Sequence, residues 1–271
     1  MLLTLRTFKP PCWGRTTVAL AIAAVCGSAV AAPLPQFTFD PAAVGLVGVT
    51  FTGDNLLISD FSTVTFGAGN TFTDTGYLAV SSAQLAGATF TPTGLNSTYG
   101  MYFAFTGTGT LTAGGNPATA ATLGSFSTLT YTLYGYNGGA SFGFSGNTPT
   151  ETASGEMVLA TGSLINGRVS TVPTGNGTTF VPSAFADLSF NAAADKAGFF
   201  KAPSPFYNLA LTAFTNTTSQ VEAFDGGFRI RQGGGSVNFG VTPAIPEPQT
   251  YLLMLAGLSA VGFVVRRRRQ T

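Results

Sequence analysis

The stretch FSTLTYTLYGY at residues 126–136 decides the fold class. Leu129, Tyr131 and Leu133 recur at every second position with threonines between them. That period of two marks a strand with one dry and one wet face. Tyr134 and Tyr136 fall on the face opposite Leu129, Tyr131 and Leu133, which makes them candidate exposed rings for contact with a glycan.

The same alternation extends in both directions along the chain. Phe37 and Phe39 align within 36–39, Val64 and Phe66 within 63–66, and Met101, Phe103 and Phe105 within 100–105. Phe142 and Phe144 align within 141–144, and Leu209 and Leu211 within 207–214; shorter runs follow the pattern at 187–190, 227–231 and 236–241. Turn-rich stretches at 113–117, 137–140 and 173–177 separate them, as in antiparallel sheets. Gly, Pro, Thr and Asn interrupt every stretch before a long amphipathic helix can form. The expectation is an all-β fold, a single antiparallel β-sandwich or jelly-roll-like domain of roughly nine to twelve strands over residues 32–245. Helix is expected only as a turn near 192–197 and in the two terminal segments.

Each end of the 271-residue chain carries an address. At the head, Arg6, Lys9 and Arg15 precede an apolar stretch at 18–30 that ends in Ala29-Val30-Ala31. Small side chains at Ala29 and Ala31 fit a signal peptidase, so residues 1–31 read as a cleaved signal peptide with cleavage after Ala31. Cys12, Cys26 and Trp13 all lie inside that segment. The mature chain is then expected to lack Cys, His and Trp, and burial rather than disulfides must hold it together.

At the tail, residues 251–265 (YLLMLAGLSAVGFVV) carry no charge and run directly into Arg266, Arg267, Arg268 and Arg269. As a helix this segment is about 22 Å long, a short transmembrane span made workable by snorkelling arginines. The arginines stay cytoplasmic by the positive-inside rule, so the body faces outward. Pro246, Glu247 and Pro248 stand just before the span, where two prolines enforce an exposed extended segment. A plain single-span anchor with a proline-rich stalk is the bland reading of this arrangement.

Pro-Glu-Pro, a short apolar span and a terminal arginine cluster, in that order over 245–271, resemble the PEP-CTERM sorting signal. The resemblance implies recognition and removal of the tail by an exosortase-type membrane protease, with Pro246, Glu247 and Pro248 as recognition residues and Arg266 to Arg269 as the stop-transfer cluster. It also implies a Gram-negative bacterium that makes exopolysaccharide, and a protein anchored transiently in the inner membrane before reaching the cell surface or extracellular matrix. Three phrases of the body, YGMYFAFTGTGTLT at 99–112, VLATGSLINGRVSTV at 158–172 and FFKAPSPFYNL at 199–209, are similar to the flocculation-associated subgroup of that family. The implied role is a non-enzymatic matrix protein associated with exopolysaccharide, flocculation or biofilm; a secreted carbohydrate-binding module with a defined glycan pocket is the alternative.

Composition narrows the chemistry further. Between residues 32 and 245 five basic side chains stand against ten acidic ones, a net charge of −5, and no basic patch exists to neutralise phosphates. Nucleic acid is therefore not an expected partner. The absence of His removes imidazole-dependent acyl transfer, and the mature inventory offers no Cys nucleophile or His/Cys zinc site. Glu151 and Glu156 are the nearest carboxylate pair in sequence, but they flank a turn-like Ala153-Ser154-Gly155. Asp54, Asn55 and Asp60 form a loose acidic group whose spacing matches no EF-hand loop. No enzyme activity, metal or cofactor is expected. Hydroxyl-rich, weakly charged strands suit hydrogen bonding to neutral glycans and leave sheet edges poorly defended, so self-association through edges is a further expectation.

Overall fold

The computed structural model describes residues 33–112 and 117–241. The signal-peptide residues Ala29 and Ala31, the segment Pro246-Glu247-Pro248, the span at 251–265 and Arg266 to Arg269 lie outside the described residues.

Eight long strands carry the architecture: β1 (Asn55–Phe66), β2 (Thr71–Leu85), β3 (Tyr99–Leu111), β4 (Thr122–Asn137), β5 (Met157–Pro173), β6 (Phe180–Ser189), β7 (Leu209–Thr215) and β8 (Gly227–Gly240). Each pairs antiparallel with the next in chain order. β8 then returns to β1, from Gly227 opposite Thr65 to Val237 opposite Leu56. The chain is thus an all-β, up-and-down barrel of eight strands. This corrects the expected sandwich or jelly roll. Alternation reports one wet and one dry face per strand, but two opposed sheets and one rolled sheet satisfy it equally. The closed ring leaves none of these eight strands with a free edge, so among the described residues free edges remain only on short strands outside it, such as Phe51–Gly53, Phe200–Ala202 and the hairpin at 142–151.

Closure requires the strands to bend, and register shifts supply the bends. They occur between Leu57 and Ile58 on β1, between Thr108 and Gly109 on β3, and between Arg231 and Gly233 on β8. Room inside is equally constrained. Tyr99, Met101, Phe103 and Phe105 point inward along β3, followed by Gly107 and Gly109. A Cβ at Gly109 would collide with the ring of Phe72, which meets Phe126 edge-to-face at 5.5 Å.

A phenylalanine cluster packs against the barrel wall where β8 finishes. A three-stranded sheet sets Phe37–Phe39 between Phe51–Gly53 and Phe200–Ala202. Phe37 and Phe39 are fully buried. Phe39 reaches Phe199 at 4.8 Å, Phe200 at 5.4 Å and Phe239 of β8 at 5.8 Å, and Phe239 in turn meets Phe190 at 5.1 Å. The expected helical turn is present as a 3-10 segment, Ala194–Phe199. Among the described residues no helix is long and apolar enough to cross a membrane.

Replacing Phe39 by Ala removes the ring at the centre of this cluster and is expected to cost about 3–5 kcal/mol. Urea unfolding followed by far-UV circular dichroism measures it. A loss below about 1 kcal/mol would mean the cluster packs without stabilising the barrel.

Candidate functional site

The outer wall of the barrel carries threonine in rows that run across strands. One row is Thr63, Thr75, Thr106, Thr130 and Ser163, each directly opposite the next on adjacent strands β1 to β5. A second is Thr65, Thr73, Thr108 and Thr128. Neighbouring hydroxyls engage one another, Thr108 with Thr128 at 2.8 Å and Thr75 with Thr106 at 3.3 Å. Strand geometry sets these hydroxyls about 4.8 Å apart across the sheet and about 7 Å apart along it.

A hairpin, Phe142–Ser145 paired with Thr148–Glu151, lies over one end of this surface. Arg229 of β8 donates to the Gly146 carbonyl, and the Thr63 hydroxyl donates to the Asn147 carbonyl at 2.5 Å. The Arg229 and Arg231 guanidinium groups both sit over the Phe144 ring, 5.7 and 5.8 Å from its centroid. Glu222 holds both arginines, through Arg229 Nε at 2.7 Å and Arg231 Nε at 3.0 Å. Beneath the hairpin, Phe142 stacks on Phe61 at 5.8 Å and meets Tyr102 edge-on at 5.4 Å.

Tyr102 is the hub of an aromatic patch that also includes Tyr77, Tyr134 and Tyr136. Its hydroxyl donates to Glu156 at 2.6 Å. Burial, that hydrogen bond and the nearby charges of Glu151 and Glu156 hold the Tyr102 phenol well above its ordinary range. Burial and the same two carboxylates also raise Tyr77. The fold therefore brings Glu151 and Glu156 to one aromatic patch, and each has a partner there: Glu156 takes the Tyr102 hydroxyl and Glu151 the Ala153 amide.

The two tyrosines singled out from sequence lie on the outer wall, but neither is an open platform. Tyr136 is 2% exposed. Its ring lies over Gly100 on the adjacent strand, where any Cβ would collide with it, so it is withdrawn as a glycan contact. Tyr134 is half-buried with one face stacked on Tyr102 at 5.2 Å. What remains accessible is a groove of about 420 Å³ walled by Tyr77, the hairpin residues Thr148 and Pro149, and the hydroxyls of Thr75, Thr106, Thr130 and Thr132. The threonine alternation in STLTYTL pointed to Thr130 and Thr132; nothing local pointed to the hairpin folding over them.

The loose acidic group of the sequence does not assemble. Asp54 accepts the Ala86 amide at 2.6 Å, Asn55 donates to Gln84 at 2.7 Å, and Asp60 points into the barrel. There Asp60 is joined by Asp74 of β2. Asp60 is 4% exposed, and although Asp74 keeps some accessible surface, its Oδ1 has almost none. Burial pushes the Asp60 carboxyl up to about 7, partly offset by the Ser62 hydroxyl. Burial and the Asp60 charge push Asp74 well above the usual carboxylate range.

Residues 244–269 match the PEP-CTERM protein-sorting motif. That match makes the chain an exported protein that transits the membrane and is sorted towards the cell surface by an exosortase. No curated protein matches the chain, and no solved structure does.

The raised acids fix the sign of a pH dependence. Their folded pKa values lie above the unfolded ones, so between about pH 4 and pH 7 the folded state holds more protons. The Asp60 contribution is complete below about pH 4 and is lost as pH rises through about 7, by about tenfold in the folding equilibrium per pH unit, and Asp74 acts in the same direction. Asp60→Asn is expected to flatten this decline and to raise the urea midpoint at pH 7.5. Parallel pH profiles for wild type and variant would refute the assignment.

Proposed function

We propose that the exported chain is a non-enzymatic surface or matrix protein that holds cells to exopolysaccharide and contributes to flocculation or biofilm. The observation that carries this reading is the pairing of a sorting motif at 244–269 with a barrel whose outer wall presents rows of threonine hydroxyls rather than charges. Hydroxyls at strand spacing donate and accept hydrogen bonds with neutral sugars without requiring a counter-charge. Signal peptidase and an exosortase-type membrane protease are the processing partners, and the exopolysaccharide is the lasting one. Self-association would use the faces of the barrel or the edges of the short strands outside the ring.

The groove beside Tyr77 favours a second reading, a carbohydrate-binding module with a defined glycan pocket. Tyrosine walls one side and four threonine hydroxyls converge on the other, the mixture of apolar surface and placed polar groups that binding pockets use. The two readings differ in how binding responds to substitution. A spread-out adhesive wall loses affinity gradually as hydroxyls are removed, whereas a pocket loses it at one ring.

Removing residues 244–271 is expected to deplete the protein from surface and matrix fractions and to slow the settling of cells. Depletion without any change in settling would defeat the adhesive role. In pull-downs with the cells' own exopolysaccharide, Thr106→Val with Thr130→Val is expected to reduce recovery by a few fold, and Tyr77→Ala to change it little. Near-complete loss on Tyr77→Ala alone would favour the pocket.

A further inference from the structure

Inside the barrel, most polar groups have found partners. Thr122 and Thr171 share a hydrogen bond at 2.7 Å, Thr212 donates to the Ala186 carbonyl at 3.1 Å, and the Tyr131 hydroxyl donates to the Ser189 carbonyl at 2.9 Å. Among the buried oxygens without a partner are Oδ1 of Asp60, Oδ1 of Asp74 and Oδ1 of Asn216, with Ser62 Oγ and the Tyr99 hydroxyl also unpaired. Asp60, Asp74 and Asn216 line one cavity of about 90 Å³, whose remaining wall is largely apolar.

Each acid stands opposite a glycine. Asp60 stands opposite Gly233 of β8, and Asp74 opposite Gly107 of β3, so each carboxyl has a neighbour without a side chain. The Asn216 carbonyl oxygen occupies the position that a Cβ on Gly233 would take, which sets it beside Asp60 across the strand pair. Asp60 and Asp74 are close enough for the charge of one to raise the other. Among the described residues no Lys or Arg lines the cavity. Two carboxyls and an amide oxygen thus face an apolar chamber with nothing positive to meet them. An unpaired buried acceptor costs about 1–3 kcal/mol, and more when charged.

We propose that this chamber binds a small organic cation, an ammonium head on a short apolar body. An ammonium group has three N–H donors and no acceptor, which suits a wall where the Asp60 and Asn216 oxygens stand side by side at Gly233 and Asp74 follows four residues further along, opposite Val64. The body would rest against Phe103, Leu129 and Val237. The volume accommodates about three to five non-hydrogen atoms, judged by the share of volume a water takes in the liquid. Calcium fits less well, because it takes six to eight oxygens and only these few face the chamber.

Binding follows pH. The titratable groups lining the chamber are Asp60, Asp74 and Tyr131, and Tyr131 stays protonated with its hydroxyl committed to Ser189. An entering ammonium ion pairs with the ionised acids and displaces the proton they hold, so affinity rises as pH is raised from 5 towards 8.

The test uses the exported chain with isobutylammonium chloride as probe, isobutanol as its uncharged counterpart, and calcium chloride, each followed by scanning calorimetry at pH 5 and pH 8. Isobutylammonium is expected to raise the melting temperature, more at pH 8 than at pH 5, and isobutanol to raise it much less. Asp60→Asn combined with Asp74→Asn relieves the buried acids and should remain folded, with affinity for isobutylammonium reduced by about tenfold or more. Equal stabilisation by amine and alcohol, or full binding by the double variant, would overturn the proposal. Stabilisation by calcium but not by isobutylammonium would overturn it as well, replacing the organic cation by a metal ion.

Discussion

The ladder between β8 and β1 is the constraint on which the rest of the structure depends. It joins the last barrel strand to the first, over most of their length. Once it forms, every strand of the ring has two neighbours and the ring has no exposed edge. Little else is available to protect the sheet. The weakly charged strands lack the lysines that usually defend an edge, and between residues 32 and 245 there is no cysteine to cross-link them. Contacts across closure span nearly the whole body in sequence, so the ring must be held by burial strong enough to offset a large loop entropy.

That requirement explains where the phenylalanines go. Phe37, Phe39, Phe199, Phe200 and Phe239 come from both ends of the body and meet in one cluster. Each ring buried there stabilises contacts between segments distant in sequence. The interior between the walls is less completely filled. Glycines at Gly107, Gly109 and Gly233 make room for the Phe126 and Phe72 rings and the Asn216 oxygen, and Asp60 and Asp74 stand opposite Gly233 and Gly107. Burying two acids in an apolar barrel opposes folding near neutral pH, so the cluster and the closing ladder must outweigh them.

Individual strands were legible where inward residues are large. Phe103 with Phe105, and Leu129, Tyr131 and Leu133, fall inside strands as their spacing requires. β2 and β5 were not, because Gly, Ser, Thr and Ala fill positions such as Gly76, Gly162 and Gly167 and blur the contrast between faces. Ring closure was out of reach for a different reason: it is a property of the pairing between 55–66 and 227–240, which no local window contains. The same holds for the outer wall. That Tyr134 and Tyr136 face outward follows from their period, but that Gly100 lets Tyr136 lie flat, and that a hairpin from 142–151 packs over Phe61 and Tyr102, depends on neighbours across the sheet. Asp60 and Asp74 were readable in principle. Asp60 shares its parity with Ile58, Ser62 and Val64, and Asp74 with Phe72 and Leu78, so each is an acid in a run of inward positions.

The outer wall and the interior follow opposite electrostatic rules, and the sorting tail follows a third. Outside, the arginines that the body does carry are partly spent on fixing the hairpin, with Arg229 and Arg231 bound to Glu222 and laid over Phe144. The threonine rows beside it are left to hydroxyl chemistry that salt does not screen. Inside, two carboxyls lack any cation among the described residues. The tail concentrates positive charge at Arg266 to Arg269, beyond the apolar stretch that the sorting motif includes. A body with many hydroxyls and few cations suits contact with uncharged polymer, because its hydrogen bonds form at any ionic strength. The positive charges of the barrel wall are few, and two of them, Arg229 and Arg231, are tied to Glu222, whereas the tail gathers four arginines in a row.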